Sequence, residues 1–200
     1  MKVEMKDSGI PWVGKIPKNW EISKLKFCTD IIMGQSPNSD DISDEGKILF
    51  MQGNAEFEAK YPKPKHYCDK ATKHSRMGDI LMSVRAPVGA LNFSNSIYGI
   101  GRGLCSIKPI KIETDYLWYF LQKSKSDFDF FSNGSTFDAI TITVLKNFNI
   151  AIPPSQIQQQ IANFLDDKCT DIDQLITLQQ QMIDELKAYK QSVITEAVTK

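Results

Sequence analysis

The chain has 200 residues, of which 42% are hydrophobic and 24% are charged, and its formal net charge is zero. This composition is typical of a soluble folded protein and excludes an intrinsically disordered chain. No apolar stretch reaches the length of a bilayer-spanning helix, and the charged first residues lack the apolar core of a signal peptide.

The first 153 residues alternate short apolar runs with turn-forming residues. Residues 10–20 are rich in proline and glycine and hold two tryptophans, which predicts an ordered arm without regular structure. The remaining pattern predicts an α+β, strand-rich domain. Strands are predicted at residues 48–51, 80–85, 90–93, 103–107 and 148–152, a helix at 116–130, a strand or a short helix at 21–32 and at 140–145, and loops at 34–46, 59–78 and 133–136.

Residues 155–200 contain neither glycine nor proline, and apolar side chains recur among them at helical spacing. Pro153 and Pro154 block continuation of the preceding segment, and Ser155 with Gln158 fits a capping box that starts a helix. We therefore predict a domain at 1–153 and a helix at 154–200. The helix is roughly 69 Å long, whereas the domain is about 38 Å across. The domain alone cannot cover the apolar stripe, so we expect a partner helix.

The apolar stripe of this helix follows a seven-residue repeat, with a second row three or four positions further on. Such a seam is typical of a coiled coil, and Gln179 is the kind of polar interruption that sets its register. The seam consists of Leu165, Ile172, Leu175, Ile176, Gln179, Met182, Ile183, Leu186, Tyr189 and Val193.

The zero net charge hides an asymmetry, because residues 1–153 carry 20 Lys/Arg against 17 Asp/Glu and residues 154–200 carry 4 against 7. Positive charge concentrates at residues 59–78, where tyrosines and histidines are interleaved with it. This pattern favours contact with nucleic acid, although a solvated surface loop explains the same composition. The candidate phosphate ligands are Lys60, Lys63, Lys65, Lys70, Lys73 and Arg76.

No catalytic motif fits the chain well. The glycines at 99–103 are spaced too closely for a dinucleotide-binding turn, and they favour a tight turn or a close approach to a ligand backbone. Asp40 or Asp41 with Glu58 and Lys60 could belong to a metal-dependent nuclease, but these acids do not lie on consecutive strands. The two histidines, eight positions apart, are not a metal pair on one helix face. We interpret the chain as non-catalytic, with a nuclease as the less favoured alternative.

The four cysteines, Cys28, Cys68, Cys105 and Cys169, lie 40, 37 and 64 positions apart and form no CxxC pair. Such spacing favours free thiols in a reducing compartment over a disulfide framework or a zinc site. We therefore expect a cytoplasmic protein without a metal centre.

Five segments in order resemble one family, the specificity subunits of type I restriction–modification enzymes. They are SGIPWVG with IP and Trp20 at residues 8–20, GDILMSVRAPVG at 78–89, GRG at 101–103, GSTF leading to IPP at 134–154, and the helix with QIA, FLD and KQSVITEAV at 160–198. The resemblance covers nearly the whole chain. It implies a target-recognition domain at 1–153 and a conserved helix at 154–200.

The resemblance also implies partners and a symmetry. In this family modification subunits use S-adenosylmethionine and a restriction subunit uses ATP and Mg²⁺, so this chain is expected to carry no cofactor. Full-length members have two recognition domains and two antiparallel helices, about twice the length seen here. We therefore expect two copies to form an antiparallel coiled coil and to read a bipartite, palindromic target. Pairing with a different half-subunit, or a purely assembling or inhibitory role, stays open.

Amides and arginines at loop tips are the expected base readers, because they match base edges in the grooves. Arg85 and Arg102 could instead pair with a buried acid such as Asp79, and Gln52 could cap a turn. The candidate base readers are Gln35, Ser36, Gln52, Asn54, Arg85 and Arg102.

Overall fold

The structure, a computed structural model, describes residues 4–133 and 139–199. The predicted loop at 133–136 and the GSTF motif therefore lie almost wholly outside the described residues. The strands are β1 Met5–Asp7, β2 Lys15–Pro17, β3 Glu21–Lys24, β4 Thr29–Met33, β5 Leu49–Met51, β6 His66–Tyr67, β7 His74–Ser75, β8 Ile80–Ser83, β9 Leu91–Phe93, β10 Tyr98–Ile100, β11 Leu104–Pro109 and β12 Asn149–Ile152. The helices are α1 Leu25–Cys28, α2 Thr114–Lys123, α3 Lys125–Asn133, α4 Ile142–Asn147 and α5 Ser155–Thr199, with a 3-10 turn at Ser39–Asp41.

The centre of the fold is an antiparallel four-stranded sheet in the order β4-β11-β8-β9. All four residues of β8 are buried, which explains why its first three residues, Ile80, Leu81 and Met82, are all apolar and do not alternate with polar ones. A second sheet has the order β6-β5-β10-β7, with β10 parallel to β5. Met51, Leu81, Ile100 and Leu104 are fully buried together and join the two sheets into one core.

Two further strand pairs flank these sheets. β12 pairs with β3 in antiparallel register, so the segment before the long helix is tied to the start of the domain. β1 pairs with β2, so the prediction that residues 10–20 lack regular structure is wrong at Lys15–Pro17, which forms β2. The segment between the two strands is ordered, as the sequence predicts. The ring of Trp12 lies 4.9 Å from that of Phe120, and its indole N–H donates to Asp127 at 3.2 Å.

Several elements differ from the sequence prediction. The helix predicted at 116–130 is two helices, since the chain turns at Ser124, whose buried hydroxyl donates to the Phe120 carbonyl. The segment 21–32 is a strand, one helical turn and another strand, and residues 142–147 form a helix. The basic segment 59–78 holds two short strands, β6 and β7, instead of a continuous loop.

Strand β10 was missed because its middle residue is Gly99, which lowers strand propensity. A Cβ added at Gly99 would lie 2.7 Å from the Cβ of Ala71, so the missing side chain lets two segments meet. The glycine that lowers the strand propensity of this segment is thus required by the packing.

The long helix α5 runs from Ser155 to Thr199, in agreement with the prediction. The chain divides into two compact units, Met1–Gln159 and Gln160–Lys200, so the first turn of α5 belongs to the first unit. The seam residues from Ile172 to Val193 are exposed, with Ile172 and Leu186 at 53% and 63%, whereas Leu165 is half-buried. Pairing of this seam with another helix stays a prediction.

The predicted capping box is wrong. Ser155 is the first helical residue, and its hydroxyl donates to the Glu113 carboxylate at 2.6 Å. The amide of Gln158 is buried and binds outside the helix as well. Its Oε1 accepts from the Glu113 backbone N–H at 2.8 Å, and its Nε2 donates to the Pro153 carbonyl at 2.7 Å. The two polar residues thus fix the helix start to the domain instead of capping each other.

Candidate nucleic-acid interface

Three strand ends meet at one edge of the fold. Met33, the end of β4, lies opposite Cys105, and Ser83, the end of β8, lies opposite Leu104. The end of β5 joins them, because Gly101 N–H donates to the Met51 carbonyl at 2.8 Å. The loops that follow these strands therefore open at the same edge.

Three predicted base readers and one further residue form two hydrogen-bonded pairs at this edge. The amide nitrogen of Gln52 donates to Ser36 Oγ at 2.5 Å. The hydroxyl of Thr72 donates to Gln35 Oε1 at 3.3 Å. Arg102 occupies the turn between β10 and β11, beside Gln52. We call Gln35, Ser36, Gln52, Thr72 and Arg102 the glutamine edge.

Close backbone packing holds the glutamine edge in place. Gln35 N–H donates to the Ile100 carbonyl at 2.9 Å, and Leu104 N–H closes the turn onto the Gly101 carbonyl at 3.0 Å. A Cβ on Gly34 would lie 2.7 Å from the Ile100 oxygen, and one on Gly101 would lie 2.8 Å from the Cα of Gln52. The prediction that the glycines at 99–103 allow a tight turn is confirmed, and the backbone that they approach closely is that of the chain itself. A close approach to a ligand backbone stays a prediction.

The two arginines are exposed near this edge. Val84 N–H donates to the Gly103 carbonyl at 2.9 Å, which places Arg85 next to the turn that carries Arg102. Within residues 4–133 and 139–199 neither guanidinium forms an ion pair. The carboxylate of Asp79 instead accepts from the Ser106 hydroxyl at 2.6 Å and the Arg76 backbone N–H at 2.9 Å. The alternative that Asp79 pairs with Arg85 or Arg102 is therefore wrong.

Asn54 lies two residues beyond Gln52 and begins a turn, since its carbonyl accepts from Phe57 N–H at 3.1 Å. It is half-buried. The side chain of Gln52 binds Ser36 and caps no turn, so both residues remain available to a ligand at the edge.

The basic segment does not form a single patch. Lys73 lies on the side of the glutamine edge, because its carbonyl accepts from Ile100 N–H at 2.9 Å. Lys60 lies at the opposite end of the central sheet, since its carbonyl accepts from Phe93 N–H, and Phe93 is opposite Ile80. Its ammonium is 5.6 Å from the Phe93 ring centroid. Arg76 also lies at that end, beside Asp79.

Two of the basic candidates are already paired with acids. Lys63 lies 3.0 Å from Glu58, and Lys70 lies 2.7 Å from Asp41. The hydrogen bond to the Asp41 carboxylate raises the pKa of Lys70 above its ordinary value. Lys65 is exposed. Lys73 and Lys65 are therefore the lysines of this segment that neither an acid nor an aromatic ring holds among the described residues.

The acidic residues considered for a nuclease do not converge. Asp41 binds Lys70 and Glu58 binds Lys63, at separate places in the fold. Across residues 4–133 and 139–199, no three His, Cys, Asp or Glu side chains lie close enough together to hold a metal ion. The same residues include no helix that is apolar and long enough to cross a bilayer.

Sequence reasoning missed Thr72. It sits in the basic segment, 37 residues from Gln35, and a threonine between lysines carries no signal of its own. Only the pairing of β7 with β10, and of β10 with β5, brings it to the edge.

Comparison with known proteins agrees with this picture. The family model described as "Type I restriction modification DNA specificity domain" matches residues 17–188. The MjaX type I restriction enzyme specificity subunit of Methanocaldococcus jannaschii is 36% identical over 192 residues, covering 94% of this chain and 44% of that protein. The MjaIX specificity subunit of the same organism is 30% identical over 176 residues, covering 76% and 38%.

Solved structures show the same fold. The HsdS subunit from Thermoanaerobacter tengcongensis has a TM-score of 0.73 at 35% identity, covering 84% of this chain and 41% of that chain. A chain from a study of complex assembly and conformational transition of the type I R-M system has a TM-score of 0.82 at 37% identity, covering 88% and 45%. This chain thus spans less than half the length of these relatives. The α+β fold with a long helix, and the resemblance stated from sequence, are confirmed: the chain belongs to the type I restriction–modification DNA specificity domain family.

Proposed function

We propose that the first unit reads a DNA sequence with the glutamine edge, together with Asn54 and Arg85. The observation that carries this proposal is the meeting of Gln35, Gln52 and Arg102, from three separate strand ends, at one exposed edge. Amides and guanidinium groups are the side chains that match the donors and acceptors of base edges. Lys73 and Lys65 supply phosphate contacts that position the domain.

The role is one of binding. The relatives are specificity subunits, which have no catalytic activity of their own, in agreement with the prediction that the chain is not an enzyme. We propose that modification subunits supply the methyltransferase with S-adenosylmethionine, and that a restriction subunit supplies ATP- and Mg²⁺-dependent cleavage. This chain then directs both to their target. The four free cysteines fit a reducing cytoplasm.

We further propose that the seam of α5 pairs with α5 of a second copy as an antiparallel coiled coil. Its exposed apolar residues repeat over four heptads, and full burial of each is worth about 1.5–3 kcal/mol. Gln179 lies midway between Leu165 and Val193. An antiparallel pairing that covers the whole seam therefore places Gln179 against Gln179 of the second copy.

This symmetry determines the kind of target. A two-fold axis through the helix pair relates the two reading edges, so each copy meets the same half-site in inverted orientation. The helices act as the spacer between the half-sites. The target is then bipartite and palindromic.

The test is methylation-site mapping in cells that express this chain with its modification subunit. A palindromic motif interrupted by a fixed spacer supports both proposals. An asymmetric motif supports DNA reading but contradicts the homodimer, in favour of pairing with a different half-subunit.

A matched variant sharpens this test. Arg102→Ala removes a guanidinium from the glutamine edge, whereas Lys108→Ala removes a positive charge from the solvent face of β11. Arg102→Ala should relax the motif at one position in each half-site, and Lys108→Ala should leave it unchanged. Methylation without any motif contradicts DNA reading and supports an assembling or inhibitory role.

A further inference from the structure

A lysine outside the basic segment lies next to the loops of the glutamine edge. Gly89 belongs to the loop between β8 and β9, and its N–H donates to the Ser83 carbonyl at 2.9 Å. Ser83 lies opposite Leu104, so Gly89 is at the same end of the central sheet as the glutamine edge. A Cβ added at Gly89 would lie 3.2 Å from the Cγ of Lys125 and 3.6 Å from its Cα. Lys125 therefore borders the loop that carries Arg85.

The glycine at this position lets the stem of Lys125 pack against the loop. Gly89 has a φ of +77°, in the left-handed region that favours glycine, and a side chain there would crowd the lysine stem. Lys125 is nevertheless an exposed residue. A lysine of this kind covers its neighbour with its methylene groups and keeps its ammonium in water. Its stem is partly ordered before a ligand binds, so a contact made by the ammonium loses less side-chain entropy.

The stability of the helix does not explain a lysine at this position. Lys125 is the first residue of α3. The first turn of a helix carries a partial positive charge, which repels an ammonium group and attracts an anion. The helix is fixed to the domain by Phe128, which is fully buried and whose ring lies 4.7 Å from that of Phe148. An anion bound at Lys125 would therefore relieve a repulsion that the fold holds in place.

No acid neutralises Lys125 among the side chains that the structure describes. The ion pairs within residues 4–133 and 139–199 all involve other cations. Asp127, two positions further along α3, accepts from the indole N–H of Trp12 at 3.2 Å. Lys125 thus adds to the positive charge of Arg85 and Arg102 at this end of the sheet.

Lys73 and Lys125 lie on opposite sides of the base readers. From Lys73 the edge runs through β7 and β10, across the turn with Arg102 to β11 and β8, and through the Arg85 loop to Gly89. This path covers four spacings of about 4.8 Å between neighbouring strands, which is roughly 19 Å. The major groove of B-DNA is about 12 Å wide, and the backbones that border it belong to different DNA strands. A duplex whose major groove faces the base readers can therefore meet both lysines.

We propose that Lys125 is a second phosphate-binding residue of the DNA-reading site, and that Lys125 and Lys73 contact the two DNA strands that border the major groove. Lys125 is a positioning residue, because a phosphate contact fixes the register of the protein on the duplex and carries no sequence information. The inference rests on the proposed DNA-reading function. It adds a contact from α3 to those of Lys73 and Lys65, which both belong to the basic segment.

The first test compares the salt dependence of DNA binding. The duplex carries the motif that the unaltered full chain enriches from a pool of randomised double-stranded DNA, and fluorescence anisotropy measures its affinity at several salt concentrations. The variants are Lys125→Ala, Lys125→Arg and Lys73→Ala. Lys111→Ala is the matched control, because Lys111 is exposed and lies at the opposite end of the central sheet, where its N–H donates to the Cys28 carbonyl at 3.1 Å.

The expected result separates phosphate binding from a structural role. Lys125→Ala reduces the slope of log affinity against log salt by about 0.9 per bound copy, as Lys73→Ala does, whereas Lys125→Arg and Lys111→Ala leave it unchanged. Preference for the motif over a scrambled duplex stays within about threefold, because no base contact is lost. The thermal unfolding midpoint of Lys125→Ala does not fall, since the substitution removes a repulsion at the start of α3.

A second measurement assigns the DNA strands. Single phosphates of the motif duplex are replaced, one at a time, by uncharged methylphosphonates. The replacement that removes the contact of Lys125 weakens binding of the unaltered chain and has no effect on Lys125→Ala. We expect the phosphates identified in this way for Lys125 and Lys73 to lie on opposite strands.

The outcomes that overturn the inference differ from failure of DNA reading. If the unaltered chain enriches a motif but Lys125→Ala keeps the full salt slope, Lys125 binds no phosphate. If the two identified phosphates lie on one strand, the lysines do not border the groove as proposed. In both cases DNA reading stands. If the unaltered chain enriches no motif, the proposed function itself fails.

Discussion

The side-chain oxygen of Gln158 accepts a hydrogen bond from the backbone N–H of Glu113 at 2.8 Å, across 45 residues of sequence. The same amide donates to the Pro153 carbonyl, so one buried side chain satisfies two backbone groups at the start of α5. Removing such a partner lowers the free energy of unfolding, because the groups left behind stay buried and unsatisfied.

Gln158→Leu should lower the free energy of unfolding by about 2–4 kcal/mol, since leucine has a similar size but satisfies neither backbone group. Urea denaturation followed by circular dichroism measures the change. Gln156→Leu is the control, because Gln156 lies in the same helical turn and is exposed. Equal effects of the two substitutions would show that the buried amide is not what stabilises the helix start.

Gly34→Ala should destabilise the first unit by about 1–3 kcal/mol, because the added methyl group overlaps the backbone between Ile100 and Gly101. Thermal unfolding gives the comparison. Gly53→Ala serves as the control, since a Cβ at Gly53 meets nothing within 4 Å. A Gly34→Ala variant as stable as Gly53→Ala would mean that the loops at the glutamine edge separate easily.

Lys73→Ala should reduce the slope of log affinity against log salt by about 0.9, the value for one lost phosphate contact. Lys60→Ala removes the same charge at the opposite end of the central sheet and should leave the slope nearly unchanged. Fluorescence anisotropy of a labelled duplex at several salt concentrations measures both slopes. A larger reduction of the slope in Lys60→Ala than in Lys73→Ala would place the DNA at the Lys60 end of the sheet.

Ile172→Asp should disrupt self-association, since it puts a charge into the proposed seam of both copies. The dissociation constant of the dimer should rise by more than about a hundredfold, from two lost apolar contacts of about 1.5–3 kcal/mol each. Sedimentation velocity measures it. Thr170→Asp adds the same charge outside the seam and should change the constant little. If Ile172→Asp and Thr170→Asp changed the dissociation constant equally little, the proposed seam would not be the dimer interface.

The helix orientation can be tested by cross-linking. In an antiparallel pair centred on Gln179, the two Cys169 side chains lie about 30 Å apart along the axis, too far for a disulfide. Gln179→Cys in a Cys169→Ser background should therefore give a covalent dimer under mild oxidation, and the unaltered chain should not. Rapid disulfide formation through Cys169 would instead indicate parallel helices. Non-reducing electrophoresis distinguishes the two.

The sequence alone determined the parts of this protein that depend on local pattern. The absence of glycine and proline after Pro154 and the seven-residue apolar repeat determine α5, because helix formation depends on neighbours within one or two turns. The apolar run at 80–82 likewise determines a strand. Family resemblance follows from short motifs that are themselves local.

The tertiary structure alone decided which polar groups meet. Gln35, Gln52, Thr72 and Arg102 come from four separate segments, and the parallel pairing of β10 with β5 brings them together. That pairing depends on Gly99, whose propensity argues against a strand. The Gln158–Glu113 bond and the pairing of Lys63 and Lys70 with acids are equally non-local. Periodicity tells which face of a segment is buried, but only strand register tells what that face, and the loop beyond it, will contact.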